Sequence, residues 1–233
     1  MKTTQHGPNL WQLTRLWAFN CYLVKEEDGL TLIDTGLSGS TGQILAAAAA
    51  IGLPLTRIAL THAHADHAGS LAQLAAERPQ ATVAMSSRTA AFLQGQRSLQ
   101  SHEPQTKLRG SFINCDTHPT HTLSDGDYVG SLRVLAAPGH TPDQIAFFDE
   151  RDQTLIGGDA FQTQAGVAVA GVMRWRFPFP ALATWHLPTA LASAQTLHAL
   201  RPARLAVGHG PVLEQPQPQM AQAIEAAKAR VHG

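Results

Sequence analysis

The stretch Thr61-His62-Ala63-His64-Ala65-Asp66-His67-Ala68-Gly69-Ser70 places three imidazoles and a carboxylate within six positions, directly after the apolar run Ile58-Ala59-Leu60. Neutral imidazole and carboxylate are ligands for zinc and its first-row neighbours. In extended backbone His62 and His64 point to the same side, because side chains alternate along a strand. The chain must then bend for Asp66 and His67 to face the same cavity. Four close ligands leave one four-coordinate ion little room for a reactive water. The cluster therefore points to two metals sharing the work.

Four further segments carry the same kinds of residue behind apolar runs. They are Leu32-Ile33-Asp34-Thr35-Gly36, Pro138-Gly139-His140-Thr141, Leu155-Ile156-Gly157-Gly158-Asp159-Ala160 and Val207-Gly208-His209-Gly210. With the H-x-H-x-D-H run, these five elements in this order resemble the metallo-β-lactamase superfamily from about Asp34 to His209.

The resemblance implies a ligand set. His62, His64 and His140 would hold a first ion, Asp66, His67 and His209 a second, and Asp159 would bridge them. Asp34 would stand behind the ligands and accept a hydrogen bond from a ligand histidine. Asp66 is expected to serve in catalysis as well as ligation. The implied cofactor is a pair of divalent ions, zinc foremost, with manganese, iron or cobalt as alternatives. Two cations about 3.5–4 Å apart lower the pKa of a shared water towards neutrality. The resulting metal-bridging hydroxide would attack a carbonyl carbon.

The bulk composition bounds the function class. The chain has 233 residues, 44% hydrophobic and 15% charged, with Lys+Arg and Asp+Glu equal at 17 each. A neutral chain provides no overall field for nucleic acid or an anionic membrane. The two cysteines, Cys21 and Cys115, form neither a disulfide framework nor a cysteine zinc site and read as small buried hydrophobes. No secretory signal core or membrane-length apolar run is visible, so a cytoplasmic protein is expected.

The elements that must position the cluster are read from periodicity. Strands are expected at Leu10–Leu16, Cys21–Lys25, Leu30–Ile33, Arg57–Leu60, Ala81–Met85, Leu132–Ala136, Gln144–Phe148, Thr154–Ile156 and Arg204–Val207. Helices are expected at Ile44–Ile51, Ala68–Arg78, Arg88–Leu93, Leu187–Leu200 and Gln219–Val231. Residues 95–121 are polar and irregular. Two batches of strands, each ending in helices, fit one α/β domain over residues 1–233. The resemblance implies an αββα four-layer sandwich of two mixed β-sheets flanked by helices.

The substrate side is marked by an aromatic bias. Residues 161–185 hold Phe161, Phe177, Phe179, Trp175 and Trp185, with Met173 and Gln162 among them. This stretch is expected to wall an apolar pocket, or to anchor the loop or a dimer contact. The partner would be a small molecule, with a homodimer possible. The expected activity is hydrolysis of a small, partly apolar ester, lactone or thioester. Only 24 residues follow His209, too few for the helical extension with which glyoxalase II enzymes bind glutathione. Gln162 stands where lactonases of this superfamily often carry tyrosine. Two alternatives keep the same fold. A persulfide dioxygenase would use one iron on His62, His140 and Asp159, and a non-catalytic relative would use the pocket for ligand sensing.

Overall fold

The computed structural model describes residues 1–232. Its first half runs β1 (Lys2–His6), β2 (Leu10–Arg15), β3 (Phe19–Glu26), β4 (Gly29–Ile33), α1 (Thr41–Ile51), β5 (Leu55–Ala59), α2 (Ala65–Ala68), α3 (Leu71–Glu77), β6 (Thr82–Ser86), α4 (Ser87–Leu93) and β7 (His121–Leu123). The second half runs β8 (Tyr128–Val129), β9 (Leu132–Ala136), β10 (Ile145–Asp149), β11 (Thr154–Ile156), β12 (Phe161–Gln162), β13 (Ala168–Val169), α5 (Phe179–Leu182), α6 (Leu187–Ala199), β14 (Arg204–Ala206), β15 (Leu213–Glu214) and α7 (Gln217–His232). Gly233 lies outside the described residues.

Strands β1 to β7 form a seven-stranded sheet in sequence order, antiparallel through β4 and parallel from β4 to β7. A six-stranded sheet is ordered β15-β14-β11-β10-β9-β8, with β11 and β14 parallel. The short ribbon β12–β13 stands apart. Three apolar layers hold these pieces together. Between the sheets, Leu10, Tyr22, Val24 and Ile33 meet Leu132, Val134, Phe147 and Ile156. Outside the first sheet, Ile44, Leu71, Leu74 and Phe92 of the helices pack on Leu32 and Ile58. Outside the second, Leu191, Leu197, Met220 and Ile224 of α6 and α7 cover Leu155 and Leu205. This is an αββα sandwich. Burying each such Leu, Ile or Phe contributes about 1.5–3 kcal/mol.

Two local departures from the periodicity have physical causes. The expected helix Ala68–Arg78 is broken into α2 and α3 at Gly69 and Ser70. The Gly69 N–H donates to the Gly36 carbonyl at 3.0 Å. A Cβ at Gly69 would strike backbone atoms of Ala65 and Ser38, so the break lets the metal loop pack against the loop after β4. Strand β1 gives no apolar alternation because it is an edge strand, exposed along most of its length. The irregular character of residues 95–120 is real: after α4 the chain has no helix or strand until β7.

Candidate metal centre

Loops after parallel strands converge at one end of a sheet, and the cluster is built from such loops. The end of β5 leads into His62 and His64, and α2 then turns Asp66 and His67 towards the same point. Asp159 follows β11 and His209 follows the adjacent parallel strand β14. His140 lies between β9 and β10. The His209 loop is tied down from the first sheet. Asn20 donates through Nδ2 to the Val207 and Gly210 carbonyls at 2.9 and 2.7 Å. The buried Tyr22 hydroxyl donates to the Val207 carbonyl at 2.7 Å and accepts its N–H at 3.0 Å.

The structure brings together all seven residues read from the motifs. His64 Nδ1 lies 3.2 Å from His62 Nε2 and 3.0 Å from His140 Nε2. Asp159 Oδ2 is 3.3 Å from His140 Nε2 and 3.0 Å from His209 Nε2, and Asp159 Oδ1 is 3.3 Å from His67 Nε2. Asp66 Oδ2 is 3.3 Å from His209 Nε2. The ligand atoms form the groups His62/His64/His140 and Asp66/His67/His209, each within 4.8 Å, and a third group, His62/His67/Asp159, spans the two. Asp159 stands between the triads, and its buried Oδ1 meets no donor other than the ring of His67, itself a candidate ligand. Two carboxylates and five inward nitrogens, buried and facing one another, form a donor set that suits divalent ions. The residues present fit two such cations.

Outer hydrogen bonds orient four of the five imidazoles. Asp34 accepts from His67 Nδ1 at 2.7 Å, from the Thr61 N–H at 2.8 Å and from the Thr61 hydroxyl at 2.8 Å. Because the Thr61 hydroxyl donates to Asp34, it is left to accept from His62 Nδ1, 3.0 Å away. His64 Nε2 donates to the Arg109 carbonyl at 3.0 Å, which turns Nδ1 inward. His140 Nδ1 donates to the Thr184 hydroxyl at 3.0 Å, and that hydroxyl donates to the Pro180 carbonyl at 2.7 Å. With protons on the outer nitrogens, the inner lone pairs are free for a metal. His209 Nδ1 is buried without a partner. Sequence reading found Asp34 among these supports but missed Thr184 and the Arg109 carbonyl. A backbone carbonyl in an irregular segment leaves no side-chain signal. Gly110 was the available clue: its φ is +86° and a Cβ there would collide with the His64 ring.

The charge balance differs between the two halves. Burial holds His62 and His64 below the usual histidine range and pushes His140 down to about 3, so this triad is neutral. Burial also disfavours the charged forms of His67 and His209, but the nearby carboxylates overcome it. Asp159, Asp34 and Asp66 raise His67 well above the ordinary value, and Asp159 and Asp66 raise His209 to about 9. Burial would raise Asp159, yet His209, His67 and His140 hold it well below the carboxylate range. Without a cation, the carboxylate-rich half favours the protonated imidazoles of His67 and His209, and a bound metal would displace those protons.

The cluster floors a cavity of about 330 Å³. Phe19, Phe179, Pro180, Leu182 and Ala183 wall it, and Gly110 and Ser111 supply backbone and a hydroxyl. Of the expected pocket aromatics, Phe179 lines this cavity and is 59% exposed. Phe177 is buried beneath it, ring centroids 5.3 Å apart, and leans on His209 at 5.4 Å. The others lie elsewhere. Phe161 is fully buried in the core under α6 and α7. Trp185 is buried and its indole N–H donates to the Thr106 carbonyl at 3.2 Å. Met173 is half-buried and Trp175 is 87% exposed. Gln162 is buried with neither end of its amide partnered. Sequence reading missed Phe19 and Leu182 of the cavity wall; Leu16 and Trp17 are exposed at the tip between β2 and β3, where Trp17 meets Phe177 at 5.7 Å. A β-strand phenylalanine far from any ligand motif gave no signal.

A family profile described as Metallo-beta-lactamase superfamily matches residues 15–209. The chain belongs to the metallo-beta-lactamase superfamily. Within it, the chain is 48% identical to uncharacterized protein YobT of Bacillus subtilis, over 98% of this chain and 99% of that protein. It is 29% identical to the probable metallo-hydrolase YflN of the same organism, over 82% of this chain and 80% of that protein. Similarity to hydroxyacylglutathione hydrolase of Aeromonas hydrophila is 30% over 56% of this chain, and spans 44% of that enzyme. Among solved structures, DIM-1 metallo-beta-lactamase exposed to ceftazidime superposes with TM-score 0.73 at 15% identity, covering 98% and 97% of the two chains, a likeness of fold. TTHA1623 in a di-iron-bound form superposes with TM-score 0.62 at 29% identity, covering 88% and 94%. Two of these relatives are named a probable metallo-hydrolase and a hydroxyacylglutathione hydrolase, and this chain has His/Asp groups that could hold a metal ion. No helix among the described residues is long and apolar enough to cross a membrane.

Proposed function

We propose that the chain is a dinuclear metal-dependent hydrolase acting on a small, uncharged, partly apolar ester, lactone or thioester. The observation that carries this reading is the convergence of five imidazoles and two carboxylates beneath an apolar-walled cavity. Held there, two divalent ions, zinc foremost, would supply an activated water near neutral pH and polarise the scissile carbonyl. His62, His64 and His140 would hold one ion, and Asp66, His67 and His209 the other. Asp159 would bridge them, its charge offsetting two adjacent dications. Asp66, whose side chain keeps 23% exposure and lines the cavity, would take up the proton released when water adds to the carbonyl. The C–O or C–S bond then breaks, and the proton passes to the departing oxygen or sulfur. Phe19, Phe179 and Leu182 would seat the acyl or ring part.

Support for the uncharged class comes from the lining: it contains no lysine or arginine. A carboxylate desolvated against Phe179 and Leu182 would lack a partner other than the metals. The test is elemental analysis of the purified chain together with a panel of lactones, esters, thioesters and phosphodiesters, repeated on Asp159→Asn. Two ions per parent chain, hydrolysis of neutral carbonyl substrates, and a loss of orders of magnitude in the variant are expected. One iron and no hydrolysis would overturn the reading in favour of a mononuclear dioxygenase.

A further inference from the structure

The three ligands of the first triad come from two loops nearly eighty residues apart, and one side chain staples those loops together. Asp143 is buried, and its Oδ2 accepts the N–H of Ala63 at 2.9 Å. That amide lies between His62 and His64. Further along the chain, at the start of β10, the Ile145 N–H donates to the Thr61 carbonyl at 2.9 Å. The Asp143 carbonyl is itself held by the hydroxyls of Ser86 and Thr89, at 3.3 and 3.4 Å, from the junction of β6 and α4. Asp143 thus joins three segments: the loop of His62 and His64, the loop of His140, and the start of α4. The second triad draws nothing from it. Asp66 and His67 lie on α2, His209 follows β14, and Asp34 supports that half.

Resting on the dinuclear reading, we propose that Asp143 is a positioning residue for the first metal site, acting by clamping the Ala63 amide so that His62 Nε2, His64 Nδ1 and His140 Nε2 converge. The hydrogen bond carries this role, and an asparagine side chain can make it too. In the Asp143→Asn variant the side-chain oxygen would accept from the Ala63 N–H. The amide nitrogen would occupy the place of Asp143 Oδ1, beside the Thr141 hydroxyl, whose oxygen can accept from it.

The experiment compares parent, Asp143→Ala and Asp143→Asn, each stripped of metal and titrated with Co²⁺, following the visible absorption bands, ion stoichiometry and thermal melting. The parent should take up two ions. Asp143→Ala should bind the first-triad ion about 10- to 100-fold more weakly, the scale for groups that orient metal ligands, with altered bands for that ion and the other ion retained. Asp143→Asn should restore affinity to within about threefold. If Asp143→Ala does not fold, Asp143→Ser, too short to reach the amide, replaces it. Parent-like uptake of both ions by the Ala or Ser variant overturns the proposal while leaving the dinuclear reading intact, as does equal loss of both ions or a failure of Asn to rescue. A parent that binds no ion overturns both.

Discussion

Replacing Asp34 by alanine keeps all seven ligands but removes the acceptor that holds His67 directly and, through the Thr61 hydroxyl, fixes the hydrogen bond of His62. Three consequences can be worked from the structure. His67 loses a charge-assisted hydrogen bond of 2.7 Å, worth about 1.5–3 kcal/mol. Thr61 keeps a buried N–H and hydroxyl whose acceptor is gone, at about 1–3 kcal/mol. Alanine must also adopt the φ of +62° that Asp34 occupies, a left-handed conformation that aspartate tolerates and alanine enters at a cost of about 1 kcal/mol. These costs overlap, so about 3–5 kcal/mol is expected for the metal-free protein. For a chain of this size that lowers Tm by about 6–20 °C. Differential scanning calorimetry of the metal-free parent and variant reads the difference. Metal titration of the same samples should show the second ion bound about 10- to 100-fold more weakly. A metal-free Tm within about 3 °C of the parent would refute the reasoning, because it would mean that the Asp34 hydrogen bonds contribute little.

Gly208→Ala should leave the circular dichroism of the metal-free chain unchanged but cost at least one bound ion by elemental analysis, since the new Cβ would enter between Asp159 Oδ1 and His67, 2.6 Å from the His67 Cε1. Two ions at parental affinity would show that the two side chains can move aside. Phe177→Ala and Phe179→Ala should separate packing from substrate contact. The buried Phe177 should cost about 3–5 kcal/mol in chemical denaturation. The exposed Phe179 should cost under about 0.5 kcal/mol while raising KM for long-chain substrates more than for short ones. Equal KM effects across chain length would remove Phe179 from the substrate wall.

Much of this protein is set by local chemistry along the chain. The H-x-H-x-D-H run and the later His140, Asp159 and His209 stand out because metal ligands must be particular residue types, and each sits where an apolar run ends. The longer strands and helices of the core are likewise legible, since burial on one or two faces imposes periods of 2 and 3.6, whereas the edge strand β1 and the short β7, β8, β12, β13, β15 and α5 are not. What needed tertiary structure was every relationship across long sequence separations. The loop placing the Arg109 carbonyl on His64 is irregular and offers only a backbone atom. Thr184 acts on His140 from 44 residues away, and Asp143 on Ala63 from 80. The aromatic bias after Asp159 was visible, but its residues were dispersed by packing. Phe161 and Trp185 went inward, Trp175 outward, and only Phe179 of the group reached the cavity. Composition reports that a segment is apolar; which solvent-facing or core-facing side each residue takes depends on the partners that the fold brings against it.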